Sequence, residues 1–438
     1  MTEQMKPSGI ERIGDIPHDW EISKIKYNVL IPVTDGPHET PVFVEEGIPF
    51  YSVDGIQNDH LVYEPCRYIS YADANRYDAK VKPTYGDILM GKAASVGKIA
   101  IIDQHVRLQV WSPLAIIRTD EEKVHNQYLR YYLLSDPAQV EIDLKSTTNT
   151  QKNIAMEDIE NLIITKPSIE EQKAITFFLN AQCAKIDGII ADIEKQIETL
   201  QKYKKSLITE TVTKGLDKSV PMKDSGIEWI GEIPSGWKVE PIKYRVDFFN
   251  GDRGGNYPSK AEMLTDGVPF INAGHLLNGG LDMENMDFIS EEKYRVMGGV
   301  KLQENDILYC LRGSVGKNSI LSINRGTVAS SLVALRSKNI SAKFLYYSLN
   351  SNIDEVQRFL WDNGTAQPNL SAENLGKFKI CVPPYNEQKA IVVFLDSKCA
   401  NVDTILNQKE KALTLLQQHK KSLIYEYVTG KKRVTEVN

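Results

Sequence analysis

The stretch SGIERIGDIPHDWEISKIKY at residues 8–27 returns as SGIEWIGEIPSGWKVEPIKY at residues 225–244, with 12 identities in 20 aligned positions at an offset of 217. A second stretch behaves the same way. Residues 171–212 match residues 387–428, with 22 identities in 42 positions at an offset of 216. Between the copies the sequence agrees only in fragments. The chain is therefore two half-molecules, each a recurring frame around an individual centre. A frame used twice implies one task performed twice, and dissimilar centres imply two different targets.

The repeated 42-residue stretch reads as a long helix. Each copy opens with E-Q-K-A-I after proline, Pro167 in the first and Pro383–Pro384 in the second. Proline cannot continue a helix but commonly precedes one. Ile175, Phe178, Leu179, Ile186, Ile193, Leu200 and Leu207 then recur at helical spacing, and residues 186, 193, 200 and 207 keep the seven-residue period of a coiled coil. At ~1.5 Å per residue such a helix is roughly 60 Å long. One apolar stripe on so long a helix requires a partner, and the other copy supplies it. The stripes Ile193/Leu200/Leu207 and Leu413/Leu416/Leu423 are expected to face each other in antiparallel packing. Gly215 falls where a C-terminal cap belongs. Lys204, Lys205, Lys420 and Lys421 are expected to be solvated helix-end residues.

The centres read as mixed α/β. β-Branched runs at 48–53, 87–90, 98–102 and 114–117 alternate with turn signals. VHNQYLRYYLL (124–134) and SAKFLYYSL (341–349) read as matching amphipathic helices. Short motifs tie the centres together: GDILMGKAASVGK (86–98) with NDILYCLRGSVGK (305–317), and TTNTQKNI (147–154) with NGTAQPNL (363–370).

Composition narrows the function. The 438 residues are 42% hydrophobic, enough for real cores. No run of 18 apolar residues is present, so no membrane span is expected, and the first residues lack the character of a signal peptide. The five cysteines form no C-x-x-C pair. Cys183 and Cys399 share a repeat position and read as small buried helix residues. Net charge is −6, which is acidic for a free-standing DNA binder. Partners are then expected to share in phosphate binding. GSVGKN lacks the first glycine and the Ser/Thr of a phosphate loop. VPPY (382–385) reads as a stop before the second long helix. No metal-ligand spacing and no nucleophile elbow appears.

SGIEWIGEIPSGW followed by I-K-Y, and P-x-x-E-Q-x-x-I opening a long helix that ends near KKSLI, each present twice and in order, resemble the type I restriction-modification DNA specificity subunits. The resemblance covers nearly the whole chain. It implies an α/β (α+β) fold with two similar target recognition domains, separated by two long antiparallel coiled-coil helices in a pseudo-twofold arrangement. The divisions are 1–169 for the first domain, 170–215 for the first helix, 216–385 for the second domain and 386–438 for the second helix. It implies a non-catalytic, sequence-specific subunit that reads a split site in double-stranded DNA, one half per domain. Two adenine N6-methyltransferase subunits and two restriction-translocase subunits are the implied partners. No cofactor belongs to this subunit, because S-adenosylmethionine and ATP with magnesium go with the partners. The implied location is a bacterial or archaeal cytoplasm, with no membrane role.

Base edges and phosphates are read by exposed Arg, Lys, Asn, Gln, Ser, Thr, His and Tyr. The candidates in the first half are His38, Thr40, Lys92, Ser95, Lys98, Thr148, Asn149, Gln151 and Lys152. In the second half they are Arg253, Asn256, Tyr257, Arg312, Ser314, Lys317, Thr365, Gln367 and Asn369. DGPHETP (35–41) is similar to a loop of the family's domains, whereas the second half has GDRGGNYPSK (251–260), so the two centres should not read the same bases. Two rival readings are a protein-interaction scaffold without a DNA role and a stand-alone enzyme.

Overall fold

The computed structural model describes residues 4–148, 151–277, 279–361 and 369–434. It divides into two compact units, one of Met1–Ile193 with Lys411–Asn438, the other of Glu194–Glu410. Each unit holds one centre and halves of both long helices, Ile169–Lys214 and Tyr385–Val428. The expected helix 386–438 thus ends at Val428. There Gly430 takes a positive φ of 71°, as Gly215 does at 69° after the first helix.

In the first unit a four-stranded antiparallel sheet runs in the order Ile99–Ile101, Ile88–Gly91, Leu114–Ile117, Thr34–Asp35. Side chains alternate across it, as the two-residue period of a strand requires. Ile88 and Met90 enter one core with Tyr128, Ile164 and Ile175. Leu89 enters another with Val53, Ile56 and Val110. A smaller sheet pairs Ile48–Tyr51 in parallel with Gln109–Val110 and antiparallel with Arg67–Ile69. The helix expected at 124–134 spans Asn126–Leu134.

The second unit repeats this plan. Its main sheet runs Asn318–Ile320, Ile307–Cys310, Leu332–Ser337, Val246–Asn250. Tyr309 faces the core that holds Phe344 and Ile391, while Leu308 and Cys310 face the other. Val268–Ile271 pairs in parallel with Thr327–Val328. One bidentate pair recurs at the same place. Arg118 donates to Asp87 at 2.8 and 2.7 Å, and Arg336 to Asp306 at 2.8 and 2.8 Å. Both carboxylates are almost wholly buried, so the pairing satisfies charges that would otherwise be costly to bury.

The repeated Glu-Gln is what starts each long helix. The Gln172 carbonyl accepts from the His125 amide at 2.8 Å and its amide donates to the Pro167 carbonyl at 2.9 Å. Gln388 does the same with Ser341 and Pro383, at 2.8 and 2.9 Å. The preceding glutamates accept from buried indoles, Glu171 from Trp20 at 3.0 Å and Glu387 from Trp237 at 2.8 Å. The glycines after the helices rest on the same entry motif. A Cβ at Gly430 would lie 2.2 Å from Pro17, and one at Gly215 would lie 3.1 Å from Trp237.

The helices run antiparallel, and each unit shows it by one equivalent pair. In the first, Lys420 donates to Asp187 at 2.8 and 3.0 Å; in the second, Lys204 donates to Asp403 at 2.6 and 2.7 Å. These lysines, expected to be solvated ends, are cross-helix partners, and Lys205 pairs with Glu355. The expected stripe-on-stripe register is corrected. Leu423 packs with Ile175, Leu179 and Cys183 in the first unit, and Leu207 with Ile391, Leu395 and Cys399 in the second. Each domain core thus claims one end of each helix. Cys183 and Cys399 are buried as expected, and burial raises both thiols above their ordinary range. By length and composition alone the first long helix is long and apolar enough to cross a membrane, although no run of 18 apolar residues occurs in it. Its apolar ends are taken up by the two cores.

Candidate nucleic-acid interface

Two motifs singled out in sequence become neighbours in both units. The loop 91–98 is closed by bonds from Gly91 to the Lys98 carbonyl, 2.8 Å, and from Gly97 to the Gly91 carbonyl, 2.9 Å. The loop 310–317 is closed identically, by Cys310 to Lys317 at 2.8 Å and Gly316 to Cys310 at 3.0 Å. Residues 152–154 run beside the first loop, with Ala93 bridging Asn153 and the Ile154 amide bonded to the Lys92 carbonyl. In the second unit Arg312 bridges Asn369, and the Leu370 amide bonds to the Leu311 carbonyl. Each unit thus gathers its turn and its polar segment into one exposed edge.

Matched positions on that edge have different fates. Ser95 and Ser314 are both exposed. Lys98 donates to the Ile56 carbonyl at 3.1 Å and Lys317 to the Ala273 carbonyl at 2.9 Å, so both brace a neighbouring turn. Lys92 is mostly buried and lies 3.0 Å from Asp35. The matching residue is Leu311, which is buried; Arg312 stands where the first unit has Ala93, is exposed, and its guanidinium has no partner among the described residues. Gln151 is exposed, and Lys152 pairs with Asp143. Thr148 ends a two-residue strand paired with Lys152–Asn153. Asn149, Thr365 and Gln367 lie outside the described residues. Asn369 is exposed.

The loops 35–41 and 251–260 begin at equivalent glycines. A Cβ at Gly36 would lie 1.7 Å from the Val110 carbonyl, and one at Gly251 would lie 2.5 Å from the Val328 carbonyl. Only glycine allows the loop to leave so close to the parallel strand. In the first unit Asp35, fully buried, gathers Lys80 at 2.5 Å, Lys92 at 3.0 Å and His38 at 3.3 Å. Burial pushes this carboxyl up, yet the two ammonium groups outweigh it and hold it below its ordinary value. Thr40 is exposed beyond this cluster. In the second unit Arg253 is exposed with no side-chain partner among the described residues. Asn256 donates to the Val296 carbonyl at 3.0 Å, and Tyr257 sets its edge on Phe270 with ring centres 5.6 Å apart. Sequence reading missed Asp35 and Lys80, whose spacing carries no signal. It also missed Phe359, which is 83% exposed and lines a surface hollow with Gly313 and Ser314.

The arrangement offers exposed donors on loops held by rigid sheets, and it suits recognition of a polar surface. Among the described residues no group of three His, Cys, Asp or Glu gathers to hold a metal. The family model described as type I restriction modification DNA specificity domain matches residues 39–199 and again 234–415. The chain therefore belongs to that family and carries its domain twice. It acts as a non-catalytic DNA specificity chain of a type I restriction-modification system. It is 27% identical over 434 residues to a putative type I restriction enzyme MjaX specificity subunit of Methanocaldococcus jannaschii, covering 96% of each chain. To the MjaVIII specificity subunit of the same organism it is 25% identical over 441 residues, covering 97% of this chain and 95% of that one. The EcoBI specificity subunit of Escherichia coli is 22% identical over 323 residues, 72% of this chain and 67% of that one. A solved chain, from work on complex assembly and conformational transition of a type I R-M system, shares the fold. Its TM-score is 0.65 at 16% identity, covering 95% of this chain and 99% of that one.

Proposed function

We propose that each unit reads its own half of a split site in double-stranded DNA, the first through the edge built by 35–41, 91–98 and 151–154, the second through 251–260, 310–317 and 369–370. The observation that carries this is the pairing of equivalent loops on equivalent sheets with different side chains along them, Ala93 against Arg312 above all. Two adenine methyltransferase subunits, one for each pseudo-equivalent half, and two restriction-translocase subunits complete the assembly in the cytoplasm. S-adenosylmethionine, ATP and magnesium belong to those partners. The net charge of −6 fits a chain whose partners supply part of the phosphate binding. It is also all that favours a scaffold without DNA contact.

The test is to replace residues 28–165 with the corresponding centre of a relative and to sequence methylated adenines across a host genome. One half-site changes and the other persists. A change in both halves, or in neither, refutes the division of labour.

A further inference from the structure

The first unit contains a pocket of about 360 Å³ between the helix Asn126–Leu134, the hairpin at 56–61 and the long helices, within the size range of small-molecule sites, about 300–1,000 Å³. Arg130 lines it and is 5% exposed. Its guanidinium donates to the Asp59 carbonyl at 2.5 Å and lies 5.2 Å from the Tyr131 ring centre. No carboxylate pairs with it among the described residues, and its Nε has no hydrogen-bond partner. A buried cation without a counter-charge is costly, so this placement points to a ligand.

The second unit is the control. Aligning the halves puts Tyr346 at Arg130 and Gly280 at His60. The Tyr346 hydroxyl comes within 3.6 Å of where a Cβ on Gly279 would stand, so the same position reaches the same hairpin tip without a charge. Lys343 and Asp396, an ion pair at 2.7 Å in the second unit, are replaced by Gln127 and Asn180. In the first unit, then, an ion pair gives way to two amides and a tyrosine and a glycine give way to two basic residues, all around one pocket. The pocket's acids are engaged: Asp187 by Lys420 at 2.8 Å, and Asp103 by the Tyr63 hydroxyl at 2.8 Å.

We infer that this pocket binds a phosphate-type oxyanion, held by Arg130 and His60 with the Gln127 and Asn180 amides as further donors, and that the second unit has no such site. His60 fits this role. Burial, Arg130 and Lys420 press its pKa below the ordinary imidazole value against the opposing pull of Asp187 and Asp103, and an arriving anion reverses that balance. The oxyanion has two sources, a free phosphate compound or a phosphate of the DNA backbone.

The experiment uses the full chain bound to its methyltransferase partner, with inorganic phosphate titrated against chloride at fixed ionic strength. Thermal midpoint and the His60 ring resonance are followed. Phosphate should raise the midpoint and move the His60 titration to higher pH, with at least a tenfold weaker response in R130Y, which copies the second unit and so keeps a fold already in use. H60G, which copies Gly280 of the second unit, should weaken the midpoint response in the same direction. A short duplex without a recognition site is the second arm. If it moves His60 where phosphate does not, the oxyanion belongs to the DNA backbone. No response to either probe, an equal response to chloride, or an undiminished response in both variants overturns the inference.

Discussion

The indole nitrogen of Trp20 donates to the carboxylate of Glu171 at 3.0 Å, joining the first residues of the frame to the first turn of its long helix. Trp237 and Glu387 repeat the bond at 2.8 Å. In the first unit the same carboxylate also receives Arg433 through two bonds of 2.7 Å. The two halves of the repeated frame, far apart in sequence, are thus one structural device. Glu387→Ala leaves a buried indole N–H unpaired and should destabilise the second unit by about 1–3 kcal/mol. Glu171→Ala should cost more, because Arg433 loses two bonds as well, although it keeps its pairing with Asp19. Thermal or denaturant unfolding of the two variants checks the ranking, and equal losses would contradict it.

The cross-helix pairs Asp187–Lys420 and Lys204–Asp403 are partly exposed. A double-mutant cycle on Lys204 and Asp403 should give a coupling of about 0.5–1 kcal/mol, shrinking in high salt. Reversing both charges should restore most of what either reversal alone removes. A coupling of zero at low salt would show the pair to be incidental.

Asp35 makes a prediction about acid. Its carboxyl sits below its ordinary value of 3.8 in the fold because Lys80 and Lys92 outweigh burial. A depressed acid stabilises the fold above its unfolded pKa, and the contribution is lost as pH falls through the folded value. Asp35→Asn should therefore be less stable than the parent at pH 7, by about 1–3 kcal/mol, with the gap narrowing below about pH 4. Unfolding midpoints from pH 7 to pH 3 provide the measurement; a constant gap would sink the argument.

Lys92 and Arg312 are cations one position apart on equivalent loops, Lys92 matching Leu311 and Arg312 matching Ala93, and of the two Arg312 is the one exposed at the surface. Arg312→Ala should weaken DNA binding by the assembled complex and lower the salt slope by about 1 if a phosphate is lost, or relax one base position at about 1–3 kcal/mol if a base is. Lys92→Ala should act first on stability, through Asp35. Binding isotherms at several salt concentrations, set beside unfolding curves, separate the two. A larger binding defect in Lys92→Ala than in Arg312→Ala would reverse the assignment.

Much of this was legible in the residues. The repeat, the long helices and the strands at 88–91 and 114–117 announce themselves through periodicity, because buried faces impose it. So did the candidate loops, since glycine and polar residues mark turns. That loops 91–98 and 147–154 would lie side by side was not legible, because strand order has no local signature. Nor was the fate of Lys92, whose partner stands 57 positions earlier in the chain. Lys204 and Lys420 looked like solvated ends because their acids are found only once the antiparallel register is known. Arg130 was hidden inside a helix whose amphipathic pattern explained it too readily.

The Val428 carbonyl accepts from the Thr165 hydroxyl at 2.5 Å and from Tyr128 at 3.2 Å, inside the core of the first unit. That core is therefore finished by residues made after the whole second unit. On the ribosome the second unit, wholly contained in Glu194–Glu410, has all its parts while the first is still open, although the first began to emerge earlier. Synthesis from the N-terminus normally lets domains close in order; here the order is inverted. A product cut short after residue 410 would carry a complete second unit and a first unit whose core lacks its last wall.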